Sequence, residues 1–178
     1  MPLDNRTQRI AVIGHHGASV RTLFGGYTYV SLMETNLEQA NTMAGIEQAE
    51  DMIAAMAARE SYPGAWVKKE NADMEGAVRA MVPGIHSLVE EMTEYFDQAR
   101  VTYAYGYPFV GDDTAGYLEA LEAAGTADVV VMTVGGKYGM GLSCSIGEGI
   151  DGTDINLPKC QERLIEQIGA LGKRLIVI

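Results

Sequence analysis

Three acidic residues, Glu148, Asp151 and Asp154, stand closely spaced in the stretch from Asp128 to Pro158, DVVVMTVGGKYGMGLSCSIGEGIDGTDINLP. A calcium cradle would need a regular run of oxygen ligands closed by a bidentate Glu, and that run is missing. On residue types alone the three read as a solvated acidic turn, with an Asx-type hydrogen bond and no ligand. Their position sets a second reading beside that one, a ligand-facing rim. The run Val129 to Val134 is almost wholly apolar and β-branched, bounded by Asp128 and Gly135-Gly136, as expected of a strand buried on both faces of a parallel sheet. In open α/β sheets ligands sit beyond the carboxyl ends of the strands, and the carboxylates follow this strand on a long loop rich in Gly and Ser.

His15 and His16 close another expected strand, Arg9 to Gly14, and would face the same rim. Adjacent residues of an extended segment point different ways, which is poor geometry for a shared metal, so no metal site is expected. They read as hydrogen-bonded loop residues, with contact to a substrate as the second reading. The segment GHHGAS also invites comparison with a dinucleotide fingerprint, but it lacks G-x-G-x-x-G and the acidic residue of the next strand, so no cofactor is expected. His86 reads as structural. Trp66, the only tryptophan, lies in a Pro-Gly loop and reads as cover for a core edge rather than a platform for a sugar.

The elements that must position these residues are legible as a βα alternation. An amphipathic stripe from Asn36 to Glu60 has Ile46, Ala49, Ile53 and Met56 on one face. A second helical piece from Met74 to Arg100 is broken at Pro83-Gly84 and buries Leu88, Met92 and Phe96. Val101 to Tyr107 is the second strand. Asp113 or Thr114 is placed to cap a helix over 115–124, with Gly125 ending it. Pro158 suits the first turn of a last helix with the stripe Cys160, Leu164, Ile165, Ile168 and Leu171. Gly172 stops that helix, and Arg174 to Ile178 is a fourth strand. Such an order implies a parallel sheet covered on both faces.

Length and composition bound the rest. The 178 residues suit one domain with a real core, and 47% hydrophobic residues suit a globular protein. A net charge of −11 gives no electrostatic support for nucleic acid. No apolar run reaches the ~20 residues of a membrane span. The N-terminal stretch lacks a signal-peptide layout, so a cytoplasmic setting is expected. Two cysteines, Cys144 and Cys160, imply no disulfide framework. The chain stops within what should be a buried strand, so it is expected to be cut at its C-terminal end, and the exposed sheet edge left there could pair copies into a homo-oligomer.

Taken together and in order, RIAVIG, FGGY, VTYAYG, DDTAGYLEAL, ADVVVMTVGG, GEGID, DINLP and CQERLIEQIGALGKRLIVI resemble the second domain of family 3 glycoside hydrolases, the β-glucosidase and β-xylosidase family. The likeness covers nearly the whole chain. It is weakest from Met33 to His86, part of a helical excursion over about 33–100.

The resemblance implies a single three-layer α/β/α sandwich over residues 1–178, with a mainly parallel sheet, that follows a barrel absent from this chain. It also implies retaining hydrolysis of terminal β-linked sugars, with an aspartate nucleophile from the barrel and a general acid/base from the long loop. Many members read approximately G-E-G-x-D-R there, which places Glu148 at the acid/base position and Asp151 at the acidic position after it. Gly152 stands where arginine is common, which removes a charge partner for Asp151 or Glu148. Asp151, Asp154, His15 and His16 are then candidate substrate contacts, and the carbohydrate is the expected partner. The fragment alone is expected to be inactive. The alternative from another class is a stand-alone module that binds a nucleotide or sugar near Gly14 to Ser19 without chemistry.

Overall fold

A computed structural model of the chain describes residues 3, 7–43, 72–109, 113–139, 144–147 and 155–178. In order these form β1 (Arg9–Ile13), 3-10 turns at His15–Gly17 and Arg21–Leu23, α1 (Tyr29–Met43), α2 (Ala72–Met81), α3 (Leu88–Tyr95), β2 (Arg100–Ala104), α4 (Tyr117–Thr126), β3 (Val129–Met132), α5 (Lys159–Ala170) and β4 (Arg174–Val177). They fall into two compact units. The first takes its residues from Met1–Ser19, Ile85–Gly135 and Leu157–Ile178, the second from Val20–Gly84 and Gly136–Asn156.

The first unit holds the sheet. Its four strands run parallel in the order β2-β1-β3-β4, with Ile13 opposite both Ala104 and Met132. Alternate residues of a strand face opposite ways, and here both faces are apolar. Ala11, Ile13, Val130 and Met132 pack with Tyr117, Ala120 and Ala124 of α4 and Cys160, Leu164 and Ile168 of α5. Ile10, Val12 and Val131 pack with Leu88, Val89 and Met92 of α3. That is the expected three-layer α/β/α arrangement. Each fully buried Leu or Ile stabilises it by roughly 1.5–3 kcal/mol. At the start of β1, Arg9 pairs with Asp128 at 2.6 Å, and the guanidinium holds the carboxyl below the usual carboxylate range.

The element boundaries differ from the sequence expectation in places, for local reasons. The expected stripe from Asn36 begins earlier, at Tyr29, because the Thr28 hydroxyl accepts the Ser31 N–H and caps α1; its part beyond Met43, with Ile46, Ala49, Ile53 and Met56, lies outside the described residues, as does Trp66. The break at Pro83-Gly84 is present, and it is wider than expected: α2 ends at Met81 and α3 begins only after Ser87. There Ser87 and Glu90 form a reciprocal capping box.

The helix expected over 115–124 runs instead over Tyr117–Thr126. Asp113 accepts the Ala115 N–H at 2.9 Å, an Asx turn ahead of the helix rather than its cap, and Gly116 occupies the cap position. Gly125 lies inside that helix. Its end is imposed by the sheet, since Asp128 N–H already donates to Arg9 O. Gly172, with φ +65°, does stop α5. Cys144 and Cys160 are buried thiols.

Candidate functional site

In the first unit, the carboxyl ends of β1 and β2 carry an aromatic corner. After Ile13 the chain turns at Gly14, whose φ is +108°. A side-chain carbon there would run into Thr133 and the Tyr107 hydroxyl, so the space above this glycine belongs to protein. The next residues form the short turn that presents both histidines. His15 is buried and His16 half-buried, their rings nearly perpendicular and 5.9 Å apart. Both rest on Phe109, at 4.3 and 5.3 Å between centroids, and Tyr105 meets His15 edge-on. Two of these four rings follow β1 and two follow β2.

Tyr107 is buried among them. Burial pushes its phenol well above the usual range, with the adjoining Thr133 working in the opposite direction.

After β3 the chain is held by Gln161 of α5. Its Oε1 accepts the Gly135 N–H at 2.8 Å and its Nε2 donates to Gly135 O at 2.9 Å and, more weakly, to Phe109 O at 3.5 Å. One side-chain amide therefore ties the segments that leave β2 and β3. Gln161 shares the apolar spacing of Leu164 and Ile168, and that signal could have marked it as buried.

In the second unit the same loop begins as a clasp. Lys137 N–H donates to Ser145 Oγ at 2.9 Å, and Lys137 O accepts the N–H groups of Ser145 (2.9 Å) and Ile146 (3.2 Å). Gly139 N–H returns to Ile146 O at 3.0 Å. Gly147 closes the clasp with φ +138°, and a side-chain carbon there would strike Gly139 O, so only glycine fits. The Tyr138 ring lies over Gly25-Gly26 of the FGGY segment, where an added carbon on Gly26 would stand 2.7 Å from it. That is a packing reason for the paired glycines.

Behind the clasp lies a buried charge cluster. Lys137 Nζ donates to Glu34 Oε1 at 2.6 Å, and Arg21 Nε donates to Glu34 Oε2 at 2.9 Å. Arg21 Nη2 also lies 2.7 Å from that oxygen, as an ion-pair contact without directed hydrogen-bond geometry. All three side chains are at most 2% exposed. Arg21 is fixed further by Phe24 O at 2.9 Å, and its N–H and that of Val20 donate to the Glu75 carboxylate. Removing one member of such a buried set leaves an uncompensated charge, at a cost of about 3–5 kcal/mol.

None of these charged residues was singled out by sequence, since isolated Arg, Glu and Lys ordinarily lie on the surface. Of the residues that were, His15 and His16 come together in the first unit, and Glu148, Asp151, Gly152 and Asp154 lie outside the described residues. His86 is part-exposed, its Nδ1 3.0 Å from Glu91, a surface pair.

The family model described as glycosyl hydrolase family 3 C-terminal domain matches residues 1–178. The chain is 34% identical over 82 residues to a β-xylosidase of Formosa agariphila, covering 46% of this chain and 11% of that protein. It is 42% identical over 79 residues to the probable exo-1,4-β-xylosidase bxlB of Aspergillus fumigatus, covering 44% and 10%. Among solved structures, an exo-β-xylosidase (XlnD) in complex with a xylobiose aziridine probe superposes with a TM-score of 0.59 at 21% identity, over 99% of this chain and 16% of that one. A β-glucosidase from Erythrobacter marinus superposes with a TM-score of 0.52 at 19% identity, over 99% and 20%. At these identities the structural likeness is one of fold. The aligned part of the chain thus spans about a tenth of the length of the curated relatives it matches, and the chain covers 16% and 20% of the two solved structures.

Proposed function

The chain belongs to the glycosyl hydrolase family 3 C-terminal domain family, and from that membership we propose that it contributes a general acid/base, Glu148, to a retaining β-glycosidase whose nucleophile lies in a barrel outside this chain. The observation that carries the proposal is the match over the whole chain, joined to the G-E-G-I-D segment that directly follows the clasp. Terminal β-linked xylose is the favoured substrate, because the curated relatives named above are β-xylosidases; β-linked glucose is the second.

The chemistry assigns the roles. In double displacement, two carboxyl groups ~5 Å apart flank the glycosidic bond. One attacks the anomeric carbon; the other protonates the leaving oxygen and later takes a proton from water. The acid has to remain protonated near neutral pH, which requires burial or a neighbouring carboxylate. Asp151 and Asp154 are the neighbours assigned to that task and to sugar hydroxyls, with His15 and His16 as further substrate contacts.

The test uses nitrophenyl β-xyloside and β-glucoside. The 178-residue chain alone should release no nitrophenol, and the polypeptide that includes the barrel should. In the latter, Glu148→Ala should slow alkyl xylosides about 10²–10⁴-fold. Dinitrophenyl xyloside, whose leaving group needs no proton, should still form the glycosyl-enzyme, and added azide should then restore turnover. Hydrolysis by the isolated chain that Glu148→Gln abolishes would overturn the divided site. Undiminished activity of Glu148→Ala would overturn the assignment of the acid.

A further inference from the structure

We infer that Lys137 is the positioning residue of the loop that carries Glu148, and that Glu34, itself held by Arg21, is what fixes Lys137. The inference rests on the reading of Glu148 given above, and it adds residues to which that reading assigns nothing.

Lys137 unites two roles on one residue. Its side chain reaches the buried Glu34 carboxylate at 2.6 Å, and its backbone is the hub of the clasp, donating to Ser145 Oγ and accepting from Ser145 and Ile146. Only Gly147 separates that clasp from Glu148. Gly147 packs closely on Gly139, since a side-chain carbon on it would strike Gly139 O. A displacement of Lys137 therefore carries Ser145, Ile146 and Gly147 with it, and Glu148 is the next residue along.

The choice of residues fits this task. An apolar side chain could fill the same volume with a smaller desolvation penalty. It would lack a directed, charge-assisted bond that sets the loop at one position along its length. Two cations share the single Glu34 carboxylate, one on each oxygen, so the carboxylate cannot swing away from Lys137. Arg21 in turn is anchored through its own main chain to Glu75 of α2 and through Nη1 to Phe24 O. The loop base is thereby referred to two helices of its own unit. Small errors in placing a catalytic group matter, because a shift of ~1 Å can cost a rate of the order of 10²-fold.

The experiment is hydrogen exchange followed by NMR on the 178-residue chain, comparing Lys137→Met, which keeps the length and removes the charge, with Glu34→Gln and with Glu119→Gln on the exposed face of α4. In Lys137→Met and Glu34→Gln the amides of Gly139, Ser145 and Ile146 should exchange at least tenfold faster, and the Glu148 amide resonance should move. Amides of Val12 and Val131 in the sheet should accelerate less than those of the clasp, and Glu119→Gln should change none of these. Unaltered exchange at the clasp, or an unmoved Glu148 resonance, would overturn the inference. Equal acceleration of the sheet amides would overturn it too, since Lys137 would then support folding at large. No substrate enters this measurement, so its failure is separate from failure of the Glu148 rate test.

Discussion

At the scale of single residues, the chain is held where the backbone would otherwise be least supported. Gln161 is the case in the first unit. Fully buried, it replaces solvent for both polar groups of Gly135 at the point where the chain leaves β3. Leucine would fit the stripe on α5 and leave the Gly135 N–H and C=O without those partners. A lost partner of this kind costs about 1–3 kcal/mol. Gln161→Leu should therefore lower stability by roughly 2 kcal/mol in urea denaturation, with an unchanged m-value. A change below a few tenths of a kcal/mol would mean that water takes the place of the amide. Lys137, Glu34 and Arg21 follow a like logic in the second unit, with charge-assisted bonds in place of neutral ones.

At the scale of elements, end signals and tertiary contacts compete to set the boundaries. Ser87 and Glu90 cap α3 reciprocally, a local signal strong enough to start a helix of eight residues a few positions after Pro83-Gly84. Ser87→Ala should cost about 1 kcal/mol, read as a shift of the denaturation midpoint, and Glu90→Gln should cost less because its amide can still accept from the Ser87 N–H. Where no such signal exists the sheet decides. The helix that ends at Thr126 passes straight through Gly125, because pairing of Asp128 with Arg9 fixes where the next strand begins. Glycine marks a helix end only if the chain needs a left-handed residue there, and Gly172 is such a place while Gly125 is not.

At the scale of the whole molecule, the sheet has one well-covered centre and an exposed side. β1 and β3 are buried on both faces, whereas β4 pairs, among the described residues, only with β3, and Val177 and Ile178 stand 43% and 58% exposed. An apolar edge of that kind is a template for another strand. Sedimentation should show a mass that rises with concentration, and Val177→Lys should suppress the rise without loss of fold. A monomer at every concentration would exclude use of this edge. The charge of −11 opposes association through repulsion, so added salt should favour it.

The sequence by itself determined the parallel α/β plan, because buried strands such as Val129–Met132 and stripes such as Cys160, Leu164 and Ile168 are written in hydrophobic periodicity, which depends only on neighbours in the chain. It also carried the ordered motifs of the family and the position of Glu148 within one of them. What only the tertiary structure decided is how the loop to Glu148 is held at its base. Arg21, Glu34 and Lys137 are far apart along the chain, separated by 13 and 103 positions, and each alone has the signature of a solvated charge. Their burial exists only once α1 and the segment after β3 are brought together, and no local period records such a meeting. Gln161 is the intermediate case: its spacing marks it as inward, but the two bonds that justify a buried amide come from a glycine that the fold alone sets opposite it.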